Sequence, residues 1–385
     1  MSSGAESPGR RFSVPLHAAS TQVSKRHSFR SNQTFEPLPT PTGTYPFRLK
    51  LEDVLGADVV QRIDSEGKLV FHVAGDTGGV KAPQAQQIVS MHMENDLSSA
   101  DPPAFFYHLG DVVYYNGEST QYYPQFYEPY EQYGAPILAI PGNHDGDPLD
   151  PLVEPSLSAF MANFCAPYAH LLPEAQEVQR DAMTQPNAYW TLVTPVMTVV
   201  GLYTNVPEGG RVDQDQIDWL QNELKEAAQD QALIVALHHP VYSADAHHGG
   251  SARMGETLDA AISASGRNPD LVLTAHVHNY QRFTRTTSGR QLPYIVAGAG
   301  GYWHLHYMAK DDNGQPLTLP WQTPDPDVQL VAAADDRHGF LRLTVTKATL
   351  KGEYTTVPRP QESWRDGPVT VVDTFEIDLA NHTVS

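Results

Sequence analysis

The sequence predicts an α/β fold built on a largely buried sheet, and three observations carry that reading. Short apolar runs of strand length alternate with helical patterns, the sequence sign of βαβ units. From Gly339 onward the pattern changes to strands alone, alternating in Leu341, Leu343 and Val345 and again in Val372, Phe375 and Ile377, so antiparallel sheet closes the same domain. Composition agrees: the 385 residues are 40% hydrophobic and 18% charged, enough to bury a sizeable core.

Taken in order, residues 1–45 read as a basic, Pro/Ser-rich arm and linker. Residues 1–35 hold Arg10, Arg11, Lys25, Arg26 and Arg30 against Glu6, and Pro37, Pro39, Pro41 and Pro46 punctuate the linker. The pair Arg10-Arg11 hints at a twin-arginine leader, but Pro15 and His17 break the run behind it, so an export signal is rejected. The arm's Arg- and Ser-rich composition would also suit an organelle transit peptide; a solvated arm is the preferred reading. The domain proper is placed at 46–385. Leu69 to Ala74, Ala104 to Leu109, Pro136 to Ile140, Val196 to Tyr203, Ala232 to Leu237 and Leu271 to Ala275 read as strands. Asp213 to Ala228 is the clearest helix, with Asp213 as its cap, Ile217, Leu220 and Leu224 on one face, and Trp219 as a packing residue. Tyr302 to Arg337, rich in proline, reads as one long loop. Its Tyr302, Trp303, His304, His306 and Tyr307 form either the loop's own packing core, the preferred reading, or a wall over a site.

Charge and cysteine content exclude several function classes. Against 45 acidic residues stand 25 Lys and Arg, a formal charge of −20, which disfavours nucleic acid because binding it needs a basic footprint. No apolar stretch approaches the length needed to cross a bilayer, so no membrane partner is expected. The single cysteine, Cys165, leaves no intramolecular disulfide and no cysteine-based zinc site; the 17 histidines are the reservoir of ligands and acid/base groups.

The polar residues gather where the strands end. The first three runs exit into Gly75-Asp76-Thr77-Gly78, Gly110-Asp111-Val112-Val113-Tyr114 and Gly142-Asn143-His144-Asp145; the last two exit into His238-His239 and His276-Val277-His278. Each alone reads more readily as turn chemistry. Together they put metal-competent groups at five strand ends, and the carboxyl ends of parallel strands share one edge where ligand crevices form. Oxygen and imidazole ligation without thiolate suits Fe, Mn or Zn, and a paired site suits in-line displacement at phosphorus.

As an ordered set, these motifs resemble the calcineurin-like metallophosphoesterases. The resemblance implies a sandwich of two mixed β-sheets flanked by helices in a single catalytic domain. Two departures narrow it. Many members carry Asp-x-His at the first motif where this chain has Gly78, and the second motif often ends in Asp where this chain has Tyr114. That paired loss and gain is similar to the purple acid phosphatase branch, and the resemblance implies that Tyr114 replaces the missing ligand. By the same resemblance Asp76, Asp111, Tyr114 and His278 hold Fe(III), while Asp111, Asn143, His238 and His276 hold a second, divalent ion, Fe, Zn or Mn. His144 assists the leaving group while activated water attacks in line. His247 and His248, with Asn143, contact substrate, and His248 is favoured over His247 as the catalytic group. His239 is left without a metal role. Ala275 stands where the family usually has glycine and is expected to crowd the backbone before His276.

The expected activity is hydrolysis of phosphate monoesters on a phosphorylated small molecule. A phosphodiesterase acting on cyclic nucleotides or lipid head groups is the alternative, and a non-catalytic metal-binding scaffold is the third reading. Compartment stays open, with the cytoplasm favoured; oligomeric state is not legible.

Overall fold

Rows of β-branched and aromatic side chains, buried on both faces, place most strands in the interior. The computed structural model describes residues 34–385, and the basic arm lies outside the described residues up to 33. In chain order the strands are β1 (Arg48–Lys50), β2 (Lys68–Ala74), β3 (Phe106–His108), β4 (Ile137–Ala139), β5 (Trp190–Val193), β6 (Met197–Gly201), β7 (Ala232–Ala236) and β8 (Leu271–Thr274). They continue as β9 (Tyr280–Thr287), β10 (Arg290–Ala297), β11 (Trp321–Gln322), β12 (Val328–Ala334), β13 (Gly339–Thr346), β14 (Thr349–Thr356), β15 (Thr370–Asp378) and β16 (Thr383–Val384).

These strands form two mixed sheets. One has nine strands in the order β1-β5-β6-β7-β8-β10-β9-β12-β11; the other has seven, β16-β15-β14-β13-β2-β3-β4. Parallel pairing joins β6, β7, β8 and β10 in the first sheet and β2, β3 and β4 in the second. Side chains cross between the sheets. Tyr107 of β3 lies 5.8 Å from the Trp190 ring of β5, and Tyr280 of β9 stacks on Tyr354 of β14 at 3.9 Å. Arg282 of β9 donates to both oxygens of Asp373 on β15 at 2.7 and 2.8 Å. Helices Gln84–Asp96, Gln214–Glu226 and Ala252–Ser265 flank the sheets.

The six expected strands and the capped helix form where the sequence places them. Asp213 accepts from the Gln216 amide at 2.9 Å, and Trp219 is buried with its Nε1–H donating to the Pro46 carbonyl at 2.7 Å. Three expectations change. The segment Tyr302 to Arg337 is not one loop: β11 and β12 lie within it, β12 pairing antiparallel with β9, and its alternation is confined to Val328–Leu330 before a run of alanines, too short to reveal a strand. Val372 is 45% exposed and is not on the inner face. A register shift sets Tyr354 opposite Asp373 and Thr355 opposite Val371, so Val372 is the extra residue of a bulge that turns Asp373 inward. Third, the strand ends do not share the edge of one sheet; they come from both. Residues near the linker pack on the domain, with Glu36 and Asn205 exchanging two hydrogen bonds and the Thr42 and Gly43 amides donating to the Pro186 carbonyl. Among the described residues no helix is long and apolar enough to cross a membrane.

Candidate metal centre

The carboxyl ends of β2, β3 and β4 meet those of β7 and β8, and each strand turns sharply as it leaves its sheet. Asp76, Asp111 and His276 all take left-handed backbone angles, with φ of 55°, 53° and 67°. Non-glycine residues rarely do so, and they do so disproportionately at functional sites. The turns bring the side chains inward. Asp76 Oδ2 accepts from the His276 amide at 2.7 Å, and Asp111 Oδ1 accepts from the His144 amide at 2.9 Å. Gly142 is required at its position, because a Cβ there would collide with the Asp111 carboxylate. The crowding expected of Ala275 is relieved by Gly75: a Cβ on Gly75 would occupy the place where the Ala275 methyl sits.

The histidines are locked by carbonyls. His238 Nδ1–H donates to Leu109 O at 2.8 Å, and His278 Nδ1–H donates to His304 O at 3.0 Å. Each bond points the Nδ1 proton at a carbonyl and aims Nε2 into the centre, where it is the nitrogen that offers a lone pair once deprotonated, the state a metal ligand needs. His238 Nε2 lies 3.4 Å from Asp111 Oδ2 and 3.9 Å from Asp76 Oδ1, buried and without a hydrogen-bond partner. His278 Nε2 lies 3.5 Å from Asp76 Oδ1 and 3.2 Å from the Tyr114 hydroxyl, which donates to Asp76 Oδ1 at 3.0 Å. On the other side, His276 Nδ1 lies 3.0 Å from Asn143 Oδ1. All seven residues expected as ligands are thus gathered at one centre, and Asp111, His238 and His276 have ligand atoms within 4.8 Å of one another.

Gly78 and Tyr114 explain each other. A Cβ on Gly78 would sit 2.7 Å from Cδ2 of Tyr114, so the tyrosine ring fills the space that a side chain at position 78 would need.

Electrostatics mark the pocket as one that needs cations. Burial raises the Asp76 carboxyl to about 7. Burial would raise Asp111 too, but His238 and His144 beside it hold it well below the usual carboxylate range. Two buried carboxylates that split in this way are crowded anions short of positive charge. Burial opposes a proton on His238, yet Asp111 and Asp76 draw it up to about 9. Burial lowers His278 to about 3, keeping it neutral. The orphaned, buried Nε2 of His238 and this acid–imidazole donor set fit metal ions.

Around the centre, His144 Nδ1 donates to the Tyr115 carbonyl at 2.9 Å and its ring lies 4.6 Å from that of Tyr114. His248 is half-buried, its ring 5.1 Å from His276; His247 is exposed, with its ring 5.7 Å from His306. His239 bonds Thr204 Oγ1 through Nδ1 at 2.7 Å, and its ring packs 4.4 Å from that of His276. The aromatic segment divides. Tyr302 packs on Tyr114 at 4.3 Å and His278 at 4.5 Å, whereas Trp303 and Tyr307 are exposed.

Two contributors, Asp145 and Glu208, receive no role in the sequence reading, and a third, Tyr302, is named there as a wall over a site only as the less preferred alternative. Asp145 accepts from the amides of Val112, Val113 and Gly142, tying the loop of Asp111 to that of Asn143. Tyr302 arrives from a distant loop with no motif around it. Glu208 places Oε1 3.3 Å from His248 Nδ1 and 3.7 Å from His276 Nε2, and those two histidines hold it well below the usual carboxylate range. Glu208 lies beyond the exit of β6, so the strand-end rule applied to that strand as well would have found it.

The family model for calcineurin-like phosphoesterases matches residues 69–280. Purple acid phosphatase 18 of Arabidopsis thaliana is 27% identical over 293 residues, covering 71% of this chain and 57% of that protein. Purple acid phosphatase 21 of the same plant is 26% identical over 217 residues, covering 54% of this chain and 43% of that protein. The chain thus spans about half the length of the curated relatives it matches. Among solved structures, purple acid phosphatase PPD1 from yellow lupin (Lupinus luteus) seeds superposes with a TM-score of 0.57 at 17% identity, over 81% of this chain and 54% of that one. GAP50, described as the anchor in the inner membrane complex of Plasmodium, superposes with a TM-score of 0.52 at 13% identity, over 81% and 89%. These likenesses show the fold.

Proposed function

The chain belongs to the calcineurin-like phosphoesterase family, and from that membership we propose that it hydrolyses phosphate monoesters at a dinuclear metal centre of purple acid phosphatase type. The observation that carries the reading is the Tyr114 hydroxyl lying between Asp76 and His278, in space made available by Gly78. Asp76, Asp111, Tyr114 and His278 would hold Fe(III); Asp111, Asn143, His238 and His276 would hold a divalent ion, Fe, Zn or Mn. When bound, such a pair neutralises phosphoryl oxygens and brings the pKa of water towards neutrality.

The remaining work falls to the chain. Asp145 keeps the Asp111 and Asn143 loops in register. His144 gives its Nδ1 proton to the Tyr115 carbonyl as a fixed hydrogen bond, so the proton for the leaving oxygen is carried on Nε2, and His144 acts as an acid only when both nitrogens are protonated. His248 contacts the phosphoryl group at the rim; His247, being exposed, reaches the outer part of the substrate. A phosphodiesterase is the second reading, favoured by the Glu208 carboxylate beside His248 and His276, which suits a singly charged substrate.

Metal analysis and a visible spectrum of the oxidised protein, with turnover of an aryl phosphate and a bis-aryl phosphate, test the proposal. A tyrosinate-to-Fe(III) band that vanishes in Tyr114→Phe, with faster monoester turnover, is the expected result. Active, colourless protein holding only zinc or manganese overturns the iron assignment; strong preference for the diester overturns the monoester one.

A further inference from the structure

Glu208 stands at the mouth of the centre without belonging to the ligand set. Its loop is pinned on both sides. The Gly210 amide donates to the Pro207 carbonyl at 2.8 Å, the Arg211 amide to Thr204 O at 2.7 Å, and Arg253 to Gly210 O at 3.2 Å. Ser251 Oγ also donates to Gly209 O. A carboxylate on such a loop is held in place, and with its side chain 45% exposed it faces whatever enters. His248, the histidine best placed to meet a phosphoryl group, already has this anion against its Nδ1.

We propose that Glu208 is a specificity-determining residue, a fixed anion against His248 and His276 that disfavours doubly charged phosphoryl groups relative to singly charged ones. The inference rests on the phosphoesterase reading and adds the charge class of the substrate. Repulsion between Glu208 and a substrate grows in proportion to the substrate's charge. A dianionic monoester therefore feels twice the penalty of a monoanionic diester at the same position.

The cluster of Glu208, His248 and His276, whose ligand atoms lie within 4.8 Å of one another, also has the make-up of a third cation site. His276 argues against that. Its Nδ1 faces Asn143 Oδ1, and a histidine that serves an ion through Nδ1 carries its proton on Nε2. The group facing Glu208, 3.7 Å from Oε1, is then an N–H that offers an ion no lone pair.

The test compares wild type, Glu208→Gln and Glu208→Asp, each loaded with metal. An exposed charge pair contributes modestly, about threefold per unit of substrate charge. Glu208→Gln is expected to raise kcat/KM about threefold for a monoanionic bis-aryl phosphate and about tenfold for the dianionic aryl phosphate, and to tighten inorganic phosphate binding by calorimetry about tenfold. Glu208→Asp is expected to restore the wild-type ratio, which a loss of mere scaffolding would not do. An unchanged ratio, or phosphate binding no tighter in Glu208→Gln, overturns the proposal. So does loss of bound metal in Glu208→Gln, which would make the residue a ligand. If wild type turns over neither ester, the phosphoesterase reading fails instead, and calorimetry with phosphate still decides the role of Glu208.

Discussion

Replacing Gly78 by alanine puts the exchange between Gly78 and Tyr114 to a direct test. The added methyl would sit 2.7 Å from Tyr114 Cδ2 and 3.1 Å from the Val112 carbonyl, and would collide with Gln125 Oε1. Gln125 is the clamp on Tyr114: it accepts from the Tyr114 amide at 2.8 Å and donates to the Tyr114 carbonyl at 2.8 Å, all within the interior. Pushing it aside weakens two buried hydrogen bonds, about 1 kcal/mol each, and overpacking adds about 1–3 kcal/mol. Because relaxation recovers part of this, Gly78→Ala should destabilise the metal-free protein by about 2–4 kcal/mol in urea unfolding. A double-mutant cycle isolates the ring. With Tyr114→Ala already present, the cost of Gly78→Ala should fall by about 1–2 kcal/mol, since the backbone clamp remains but the ring does not. A single variant within about 0.5 kcal/mol of wild type, or equal costs in both backgrounds, would refute the idea that the ring owns that space.

Three further substitutions probe named contacts. Asp145→Asn sets an amide NH₂ among three backbone donors, so stability should fall by about 2–4 kcal/mol and bound metal should fall with it; full metal content would show that the two loops hold register without it. Asp373→Ala leaves Arg282 buried without its partner between the sheets and should cost about 3–5 kcal/mol in urea unfolding, whereas a loss below about 1 kcal/mol would mean the pair joins nothing. Burial lowers His338 to about 4 from an ordinary 6.5 while it donates to the Tyr302 carbonyl. The unfolded chain therefore takes up the proton first, and the stability this histidine contributes is complete above about pH 6.5 and is lost as pH falls towards 4, at up to ~1.4 kcal/mol per pH unit. His338→Gln should flatten the dependence of the urea midpoint on pH between 7 and 4.5; an unchanged slope would place the acid sensitivity elsewhere.

Much of the centre was legible because its chemistry is local. A strand that ends in Gly-Asp or Gly-Asn-His carries in a few residues both the tight turn and the group the turn presents; three such exits, followed by two that end in histidine, pointed in order to one reaction. Gly78 and Tyr114 were legible as a pair for the same reason: each departs from a short motif. Residues that reach the site by tertiary approach carry no such mark. Tyr302 stands in a proline-rich segment that reads as loop, and Val372 fits an inward alternation that a bulge in the β14–β15 pairing overturns.

The groups on offer are already written in the chain: carboxylates, imidazoles, an amide and one phenol at the ends of buried strands, without thiolate, on an acidic protein. It takes the folded chain to show that these ends belong to two different sheets, which histidine nitrogens point inward, and that Glu208 faces His248. Turn-forming residues act over a few positions and are written in the chain. Sheet partition, tautomer and rim charge depend on partners distant in the chain, such as Leu109 for His238, and no local pattern encodes them.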